Sequence, residues 1–449
     1  MARKSLSSIV VCLGFLSAAA LGAEKDGTGL TIRKARETQP ATQAAMLKST
    51  DDRIIDYTKA IAAHPDAVEY QTLLAGAYLQ KVRETGDGRY LDRATQLVEN
   101  VISDHGDNYE ALRLRTELEM NRHHFELAAV YSRDLTQLFP ADASNFGILG
   151  DALMELGQYE RAKQAYEIMV KRVPNLFSYN RLAYYTFITG NWEGALQLMK
   201  AAVAAGSPSP EHRAWCLVEL GDLYFKAGHW DNARTEYMHA LATFANYHRA
   251  YAGLGRVQGA QGDTLGAIES YRHAQAIIPL PEYASNLEYL YSLKGMKEEA
   301  RKQSELLDVV DRLARANHET TNRNLALAYA DTDRNLDRAL ELVEAEMEGR
   351  KDVYSYDALA WVLYKNKRFH EAELAMEQAL KEQTPEPIFN YHAGMIAEAL
   401  GKRASCVRHL RQALSLNAKF DLRQAAVAEL TLRNVRTSGF VGDSRSSTR

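Results

Sequence analysis

The chain has 449 residues, of which 46% are hydrophobic and 25% are charged, and its formal net charge is −4. This composition is too apolar for a disordered chain. The weak negative charge argues against a nucleic acid as the partner, because acidic and basic residues are interspersed and phosphate binding requires clustered lysine and arginine.

The first 23 residues have the layout of a secretory signal peptide. Arg3 and Lys4 precede an uncharged run over residues 5–23 that ends in small residues. The apolar centre of this run is shorter than the roughly 20 residues that a bilayer span requires. We therefore predict export through residues 1–23, with the mature protein periplasmic or secreted. An uncleaved membrane anchor is the alternative. Residues 24–50 are polar and predict a flexible lead.

One pattern recurs over residues 51–420, mostly every 33 or 34 residues and twice after 38 or 39. Most copies contain an aliphatic–small pair such as Leu149-Gly150, often followed by a glycine such as Gly157, and then a small residue that an aromatic one often precedes. The second small residue lies at Ala94, Ala128, Ala162, Ala195, Ala233, Ala267, Ala300, Ala339, Ala372 and Cys406.

The elements of the pattern predict a helix–turn–helix unit. Apolar residues three and four positions apart indicate amphipathic helices. The glycine would end the first helix, since glycine adopts the left-handed conformation at little cost. The small residues would lie where the two helices cross. Such a unit cannot bury its apolar face alone, and the next copy must cover it.

The pattern resembles the tetratricopeptide repeat (TPR), with Leu220-Gly221, Tyr224, Gly228, Ala233 and Tyr237 at the family's motif positions. The resemblance implies an all-α fold, an α-solenoid of antiparallel helix pairs. Ten copies are predicted to begin near Val68, Tyr109, Ala143, Leu176, Ala214, His248, Pro281, Glu319, Val353 and Pro387. Residues 421–436 are predicted to form a capping helix, which covers the last apolar face of such an array. Residues 437–449 are predicted to be a disordered tail.

The resemblance also implies a concave groove lined by the first helices. The family's groove positions predict fifteen partner-binding residues here: Phe177, Asn180, Tyr184, Phe187, Trp215, Asp222, Phe225, Arg256, Tyr289, Arg323, Tyr354, Asp357, Trp361, Tyr364 and Tyr391. Large aromatic side chains outside a core are typical of peptide grooves. Ordinary packing between repeats is the alternative for the same positions.

No catalytic, cofactor or metal constellation is apparent. The glycine-rich run at residues 253–259 has the wrong spacing for a nucleotide site. His318 and His370 begin zinc-like motifs that lack the second histidine, and Cys216 and Cys406 are predicted to be packed thiols. We therefore expect a non-catalytic scaffold that binds a peptide or partner protein, without a cofactor, within a cell-envelope assembly. The alternatives are a periplasmic glycan or small-ligand binder and an accessory subunit of an enzyme complex.

Overall fold

The computed structural model describes residues 48–207, 209–316 and 321–437, and these ranges contain helices and no strand. The twenty-two helices that they contain are α1 (Thr50–Ala63), α2 (Val68–Thr85), α3 (Arg89–Asp104), α4 (Tyr109–Asn121), α5 (Phe125–Leu138), α6 (Ala143–Glu155), α7 (Tyr159–Arg172), α8 (Leu176–Ile188), α9 (Trp192–Ala205), α10 (Pro210–Lys226), α11 (Trp230–Thr243), α12 (His248–Ala260), α13 (Thr264–Ile277), α14 (Pro281–Leu293), α15 (Lys297–Ala316), α16 (Arg323–Asp331), α17 (Leu336–Gly349), α18 (Val353–Lys365), α19 (Phe369–Ala379), α20 (Pro387–Ala399), α21 (Arg403–Leu416) and α22 (Gln424–Thr437). None of these helices has the combined length and apolar character that a membrane span needs.

The repeat starts predicted from the sequence agree with helix starts at eight of ten positions. The fifth copy begins at Pro210 instead of Ala214, because proline suits the first helical position, where its missing N–H leaves no bond unmade. The eighth predicted start, Glu319, lies outside the described residues, and the helix that follows begins at Arg323. There the Asn322 side chain caps the helix by accepting from the Leu325 N–H at 3.0 Å.

Each first helix ends at a turn that requires a left-handed residue. The predicted turn glycines Gly157, Gly190, Gly228, Gly262, Gly295 and Gly401 all have positive φ, between 67° and 91°. Where glycine is missing, His123, Asp333 and Lys367 adopt the same conformation, with φ of 62°, 52° and 62°. The predicted role of the glycines is confirmed, and three repeats form the same turn at a larger steric cost.

The small residues lie at the crossing of paired helices, as predicted. Gly150 of α6 lies directly against the Tyr166 ring of α7, and Gly221 of α10 lies in the same way against the Tyr237 ring of α11. A side chain at either glycine would overlap the ring, so the two helices could not approach as closely. Helix pairs of this kind are the packing unit of the chain.

The chain divides into two units. Among the described residues, unit 1 comprises 48–182 and 201–213, and unit 2 comprises 183–200 and 214–437. A representative core cluster of unit 1 contains Leu79, Val98, Leu114 and Leu118. A core cluster of unit 2 runs from Ala284 to Ala428 and contains Leu325, Leu342 and Leu410.

Three predicted segments fall wholly or mostly beyond the described residues. They are the signal peptide at 1–23, most of the flexible lead at 24–50, and the tail at 437–449. The capping helix was predicted at residues 421–436 and is observed at Gln424–Thr437. Just ahead of this helix, the Asp421 carboxylate accepts from the N–H groups of Arg423 and Gln424, at 2.8 and 2.7 Å.

Candidate functional site

The first helices of unit 2 form an inner face, which we call the groove. Successive first helices contact each other directly, as α14 does with α16 and α16 with α18. Among the described residues, no successive second helices of unit 2 have comparable contact. The first helices are therefore the inner layer and the second helices the outer one.

None of the fifteen predicted groove residues is fully exposed. Eight are buried, namely Phe177, Asn180, Phe187, Trp215, Phe225, Asp357, Trp361 and Tyr391. Seven are half-buried, namely Tyr184, Asp222, Arg256, Tyr289, Arg323, Tyr354 and Tyr364. Many of the predicted groove residues in unit 2 are covered in one of two ways. Some lie under a segment of the chain that occupies the groove, and others contact each other.

Residues 417–424, which we call the return segment, lie against the groove of unit 2. The Asn417 side chain donates to the Phe225 carbonyl of α10 at 2.7 Å. The Trp230 indole N–H donates to the Asn417 side-chain oxygen at 3.2 Å. The Asn417 side chain thus binds both the Phe225 carbonyl and the Trp230 indole, which lie 192 and 187 residues earlier in the chain.

The middle of the return segment contacts α12 and α14. The Leu422 side chain lies where a side chain on Gly259 would project, so it fills the space that this glycine leaves open. The Arg423 guanidinium donates to the Ser285 carbonyl at 3.0 Å and to its hydroxyl at 3.2 Å. It also stacks 4.8 Å from the centre of the Tyr289 ring and lies 3.8 Å from the Glu288 carboxylate.

Two other residues of the return segment, Phe420 and Gln424, contact α20 and α16. Asp331 accepts one hydrogen bond from the Gln424 amide at 2.7 Å and another from the Trp361 indole at 2.8 Å. The Phe420 ring packs on the Tyr391 ring, with 5.6 Å between their centres. Burial, together with the nearby Asp421 carboxylate, raises the pKa of Asp331 above its usual range. The groove thus holds a buried acid between two neutral donors.

Trp361 is the centre of an aromatic cluster and is 2% exposed. Its ring stacks on His392 at 4.1 Å and on Tyr364 at 5.0 Å. His392 in turn contacts Asp357 through Nδ1, at 2.8 Å from Oδ1. The predicted binding residues Trp361, Tyr364 and Asp357 are therefore brought together, but as a packed cluster in which Asp357 pairs with His392 and the Trp361 indole donates to Asp331.

Asp222 and Arg256, both predicted to face a partner, form an ion pair with one another. The Tyr237 hydroxyl donates to Asp222 at 2.6 Å, and Arg249 lies 3.6 Å from the other oxygen. Burial opposes ionisation of Asp222, but the two arginines outweigh it and hold the pKa of this carboxyl below its usual range. The charges of this cluster are therefore balanced within the fold.

Lys226 joins opposite sides of the groove within unit 2. Its ammonium lies 2.7 Å from the Glu386 carboxylate and donates to the Tyr354 hydroxyl at 3.1 Å. It also lies 4.6 Å from the centre of the Phe187 ring. Nearby, the Thr384 hydroxyl donates to the Ile188 carbonyl at 2.6 Å. The first and last repeats of unit 2 are therefore in direct contact.

The remaining predicted residues are distributed more widely. Arg323 donates to Ser355 at 3.0 Å and lies 3.3 Å from Asp352, and Arg249 lies 5.9 Å from the Trp215 ring. Phe177 belongs to unit 1, where its ring packs edge-on against His212 at 5.1 Å. Each of these three side chains therefore has its contact partner within its own unit.

Sequence reasoning missed the residues that occupy the groove. Residues 417–420 are predicted to belong to the repeat array and 421–424 to the capping helix, whereas in the structure they run from the end of α21 to the first residue of α22. Tyr166 and Tyr237 were detectable: each follows the aspartate of a Leu-Gly-Asp stretch by fifteen residues and donates to it, at 2.9 and 2.6 Å. Within the described residues, no three His, Cys, Asp or Glu side chains are placed to hold a metal ion.

Comparison with known proteins agrees with the repeat pattern. Family models described as tetratricopeptide repeat match residues 148–175, 176–246, 218–280 and 358–404. A protein described as "Protein CTR9 homolog" from Arabidopsis thaliana is 27% identical over a match that spans 47% of this chain. The match covers only 23% of that relative's length.

Two solved structures are similar in fold. One is the APC/C hetero-tetramer Cut9-Hcn1, with 15% identity, a TM-score of 0.50, and coverage of 90% of this chain and 70% of that one. The other is yeast Tom70, with 12% identity, a TM-score of 0.35, and coverage of 92% and 96%, a likeness too weak to support an argument. Residues 148–280 and 358–404 thus match tetratricopeptide-repeat models, and the described residues form an all-α solenoid.

Proposed function

We propose that this protein is a non-catalytic scaffold that binds a peptide segment or a surface helix of a partner protein in its groove. One observation carries the proposal: the groove of unit 2 already holds a stretch of polypeptide. Backbone carbonyls, an arginine-binding site, an apolar space and a buried acid all contribute to holding it. A surface with these groups has the chemistry that peptide recognition uses.

The setting that we propose is a multiprotein assembly reached by export. The tetratricopeptide repeat is a fold that presents a binding surface, and the structural neighbour with a TM-score of 0.50 is described as part of a hetero-tetramer. Export rests on Arg3 and Lys4 ahead of the uncharged run at residues 5–23. Cell fractionation with a C-terminal tag would test it, and recovery in the cytosol with residues 1–23 retained would contradict it.

Site-specific photo-crosslinking would test the binding role. A benzophenone amino acid would replace Tyr289 or Tyr364 in the groove, and Met238 or Leu374 on second helices, where the side chains are 57% and 64% exposed. We expect a discrete protein adduct from the groove positions alone, with circular dichroism showing that all variants fold. Adducts of equal yield from Met238 and Leu374, or no adduct from the groove positions, would contradict groove binding.

The glycan-binding alternative has no specific support in unit 2. Trp361 is stacked on His392 and Tyr364, and the indole N–H groups of Trp192, Trp230 and Trp361 already donate to protein acceptors. A sugar would have to displace these contacts before it could stack. The accessory-subunit alternative stays a prediction, which the identity of the crosslinked protein would address.

A further inference from the structure

We propose that the return segment is an intramolecular ligand, and that the partner segment which the groove takes has the same chemistry: an aromatic residue, an aliphatic residue two positions on, and then an arginine. This inference rests on the proposed function and specifies its ligand. Phe420, Leu422 and Arg423 present that pattern. A partner would then bind only when the return segment leaves.

A capping role does not explain the contacts of the return segment. A cap needs to cover only the last helix pair, and α22 does so with Ala428, Leu432 and Val435, which pack in the cluster that contains Leu410 of α21. Apart from the hydrogen bond between Asn417 and Trp230 at the start of α11, residues 417–424 contact the helices α10, α12, α14, α16 and α20. All five are first helices, so the return segment binds the inner face of repeats that need no cap.

The pattern follows from which groove groups are complementary to which side chains. Gly259 leaves a space that Leu422 fills, and a side chain at 259 would overlap the Leu422 Cδ2 and force the leucine to move. The Arg423 guanidinium meets a carbonyl, a hydroxyl, the Tyr289 ring and the Glu288 carboxylate, a set that suits a planar cation better than an ammonium. Tyr391 offers a ring face to Phe420.

The contacts are also of a kind that can exchange. Apart from Phe420 and Leu422, the return segment is held by hydrogen bonds and by the contacts of Arg423 with Tyr289 and Glu288, and a competing peptide of the same chemistry could remake them. Because the return segment is tethered, its effective concentration at the groove is of the order of millimolar. A free peptide therefore competes poorly with it until the tethered copy is weakened.

The test uses the full chain and a fluorescent synthetic peptide, NAKFDLRQAAVAEL, which corresponds to residues 417–430. The release variant is Leu422→Asp with Arg423→Ala, which changes the return segment and leaves the groove unaltered. Leu430→Asp, at an exposed position of α22, is the matched control. Fluorescence anisotropy measures peptide binding, and hydrogen exchange of residues 417–424 reports release.

We expect the release variant to bind the peptide at least about tenfold more tightly than the wild type or the Leu430→Asp control, since the tethered competitor has been removed. Adding Gly259→Ala to the release variant should weaken its binding of the peptide by about tenfold, because the added methyl group occupies the space that the peptide's leucine needs. Gly76→Ala, in a helix of unit 1 where the nearest atom is 3.9 Å away, should leave binding unchanged.

The inference would be overturned if a folded release variant, with fast exchange at 417–424, bound the peptide no better than the wild type. If that variant does not fold, excess isotopically labelled peptide is added to the wild type instead. Faster exchange of the chain's own 417–424 supports displacement, and unchanged exchange at saturation contradicts it. The crosslinking result is independent: groove adducts of equal yield in the wild type and the release variant would overturn this inference while sustaining the proposed function.

Discussion

At the scale of single residues, one aromatic ring limits the size of the small residue in several repeats. Gly150, Gly221 and Gly255 each lie against the ring of a tyrosine sixteen positions later, Tyr166, Tyr237 and Tyr271. The ring projects from the second helix onto the first. The glycine and the tyrosine therefore determine together how closely the two helices of a repeat can pack.

We predict that Gly150→Ala destabilises the protein by about 1–3 kcal/mol, because the new methyl group overlaps the Tyr166 ring and overpacking of this size has that cost. Gly76→Ala is the control. Its methyl group meets nothing closer than 3.9 Å, so the gain in helix propensity should leave stability unchanged or raised by up to about 1 kcal/mol. Urea denaturation of the two variants measures the difference, and equal free energies of unfolding would contradict the prediction.

His248 is a buried histidine that the fold keeps neutral. Its Nδ1 lies 2.8 Å from the Tyr283 hydroxyl. Burial, and then the charge of Arg249, lower the pKa of His248 to about 3. A histidine with a depressed pKa stabilises the fold above its unfolded pKa of about 6.5, and this stability is lost as the pH falls below that value.

We therefore predict that the free energy of unfolding falls by about 1 kcal/mol from this residue alone between neutral pH and pH 5.5. The reason is that the unfolded chain gains a proton there and the folded chain does not. His248→Gln keeps an acceptor for Tyr283 and should reduce the loss by that amount. His370→Gln, at an exposed position, should leave the pH dependence unaltered. A His248→Gln variant with the wild-type pH dependence would disprove the assignment.

At the scale of elements, the start of α22 depends on one buried acid of α16. Asp331 accepts from Gln424 in the first turn of α22 and from Trp361 of α18. Both donors are neutral, so no cation hydrogen-bonds this carboxylate, and burial raises its pKa. The Asp331 carboxylate therefore stabilises the fold as a hydrogen-bond acceptor, but removing its negative charge from water costs free energy.

We predict that Asp331→Asn is as stable as the wild type or more stable at pH 7, because the amide oxygen can accept from both donors without a buried charge. Asp331→Ala should destabilise the protein by about 1–3 kcal/mol for each donor left unsatisfied. Since the wild-type carboxyl has a raised pKa, the advantage of asparagine should shrink as the pH falls through that pKa. Guanidinium denaturation at several pH values tests this prediction. An Asp331→Asn variant with a free energy of unfolding as low as that of Asp331→Ala would contradict it.

At the scale of whole units, contacts between distant repeats complete unit 2. The Gly190 and Gly228 turns lie against the backbone oxygens of Gln383 and Leu416, each 3.3 Å from the position of an added Cβ, whereas the Gly262 and Gly401 turns have open space there. Glycine at the first two positions therefore serves two purposes, the left-handed turn and the close approach of a later loop.

Lys226 offers a direct test of this closure. We predict that Lys226→Met destabilises unit 2 by about 1–3 kcal/mol, because Glu386 is buried and loses its charged partner. Amide exchange of the loop around Thr384 should become faster. Lys365→Met is the control, since its partner Asp333 is 69% exposed on the side chain and such pairs contribute about 0–1 kcal/mol. Equal effects of the two substitutions would show that Lys226 does not join the two sides of the groove.

Much of the local structure could be predicted from the sequence because the information is repeated. The helix starts at Val68, Tyr109 and Ala143, and the turn at Gly157, follow from periodicity, capping and glycine conformation within one copy. The groove residues could be named only by family position. Position alone does not distinguish a free side chain from one such as Asp222, which pairs with Arg256 of the next repeat.

The sequence by itself determined the repeating unit, its turns and its helix crossings, because each depends on residues within about 34 positions of one another. Only the tertiary structure decided that residues 417–424 return to first helices up to 192 positions earlier and that Lys226 meets Glu386. Small rotations between successive helix pairs accumulate along a solenoid, so they decide which distant repeats meet. These rotations leave no periodic pattern in the sequence, and for that reason the occupied groove could be found only in the folded chain.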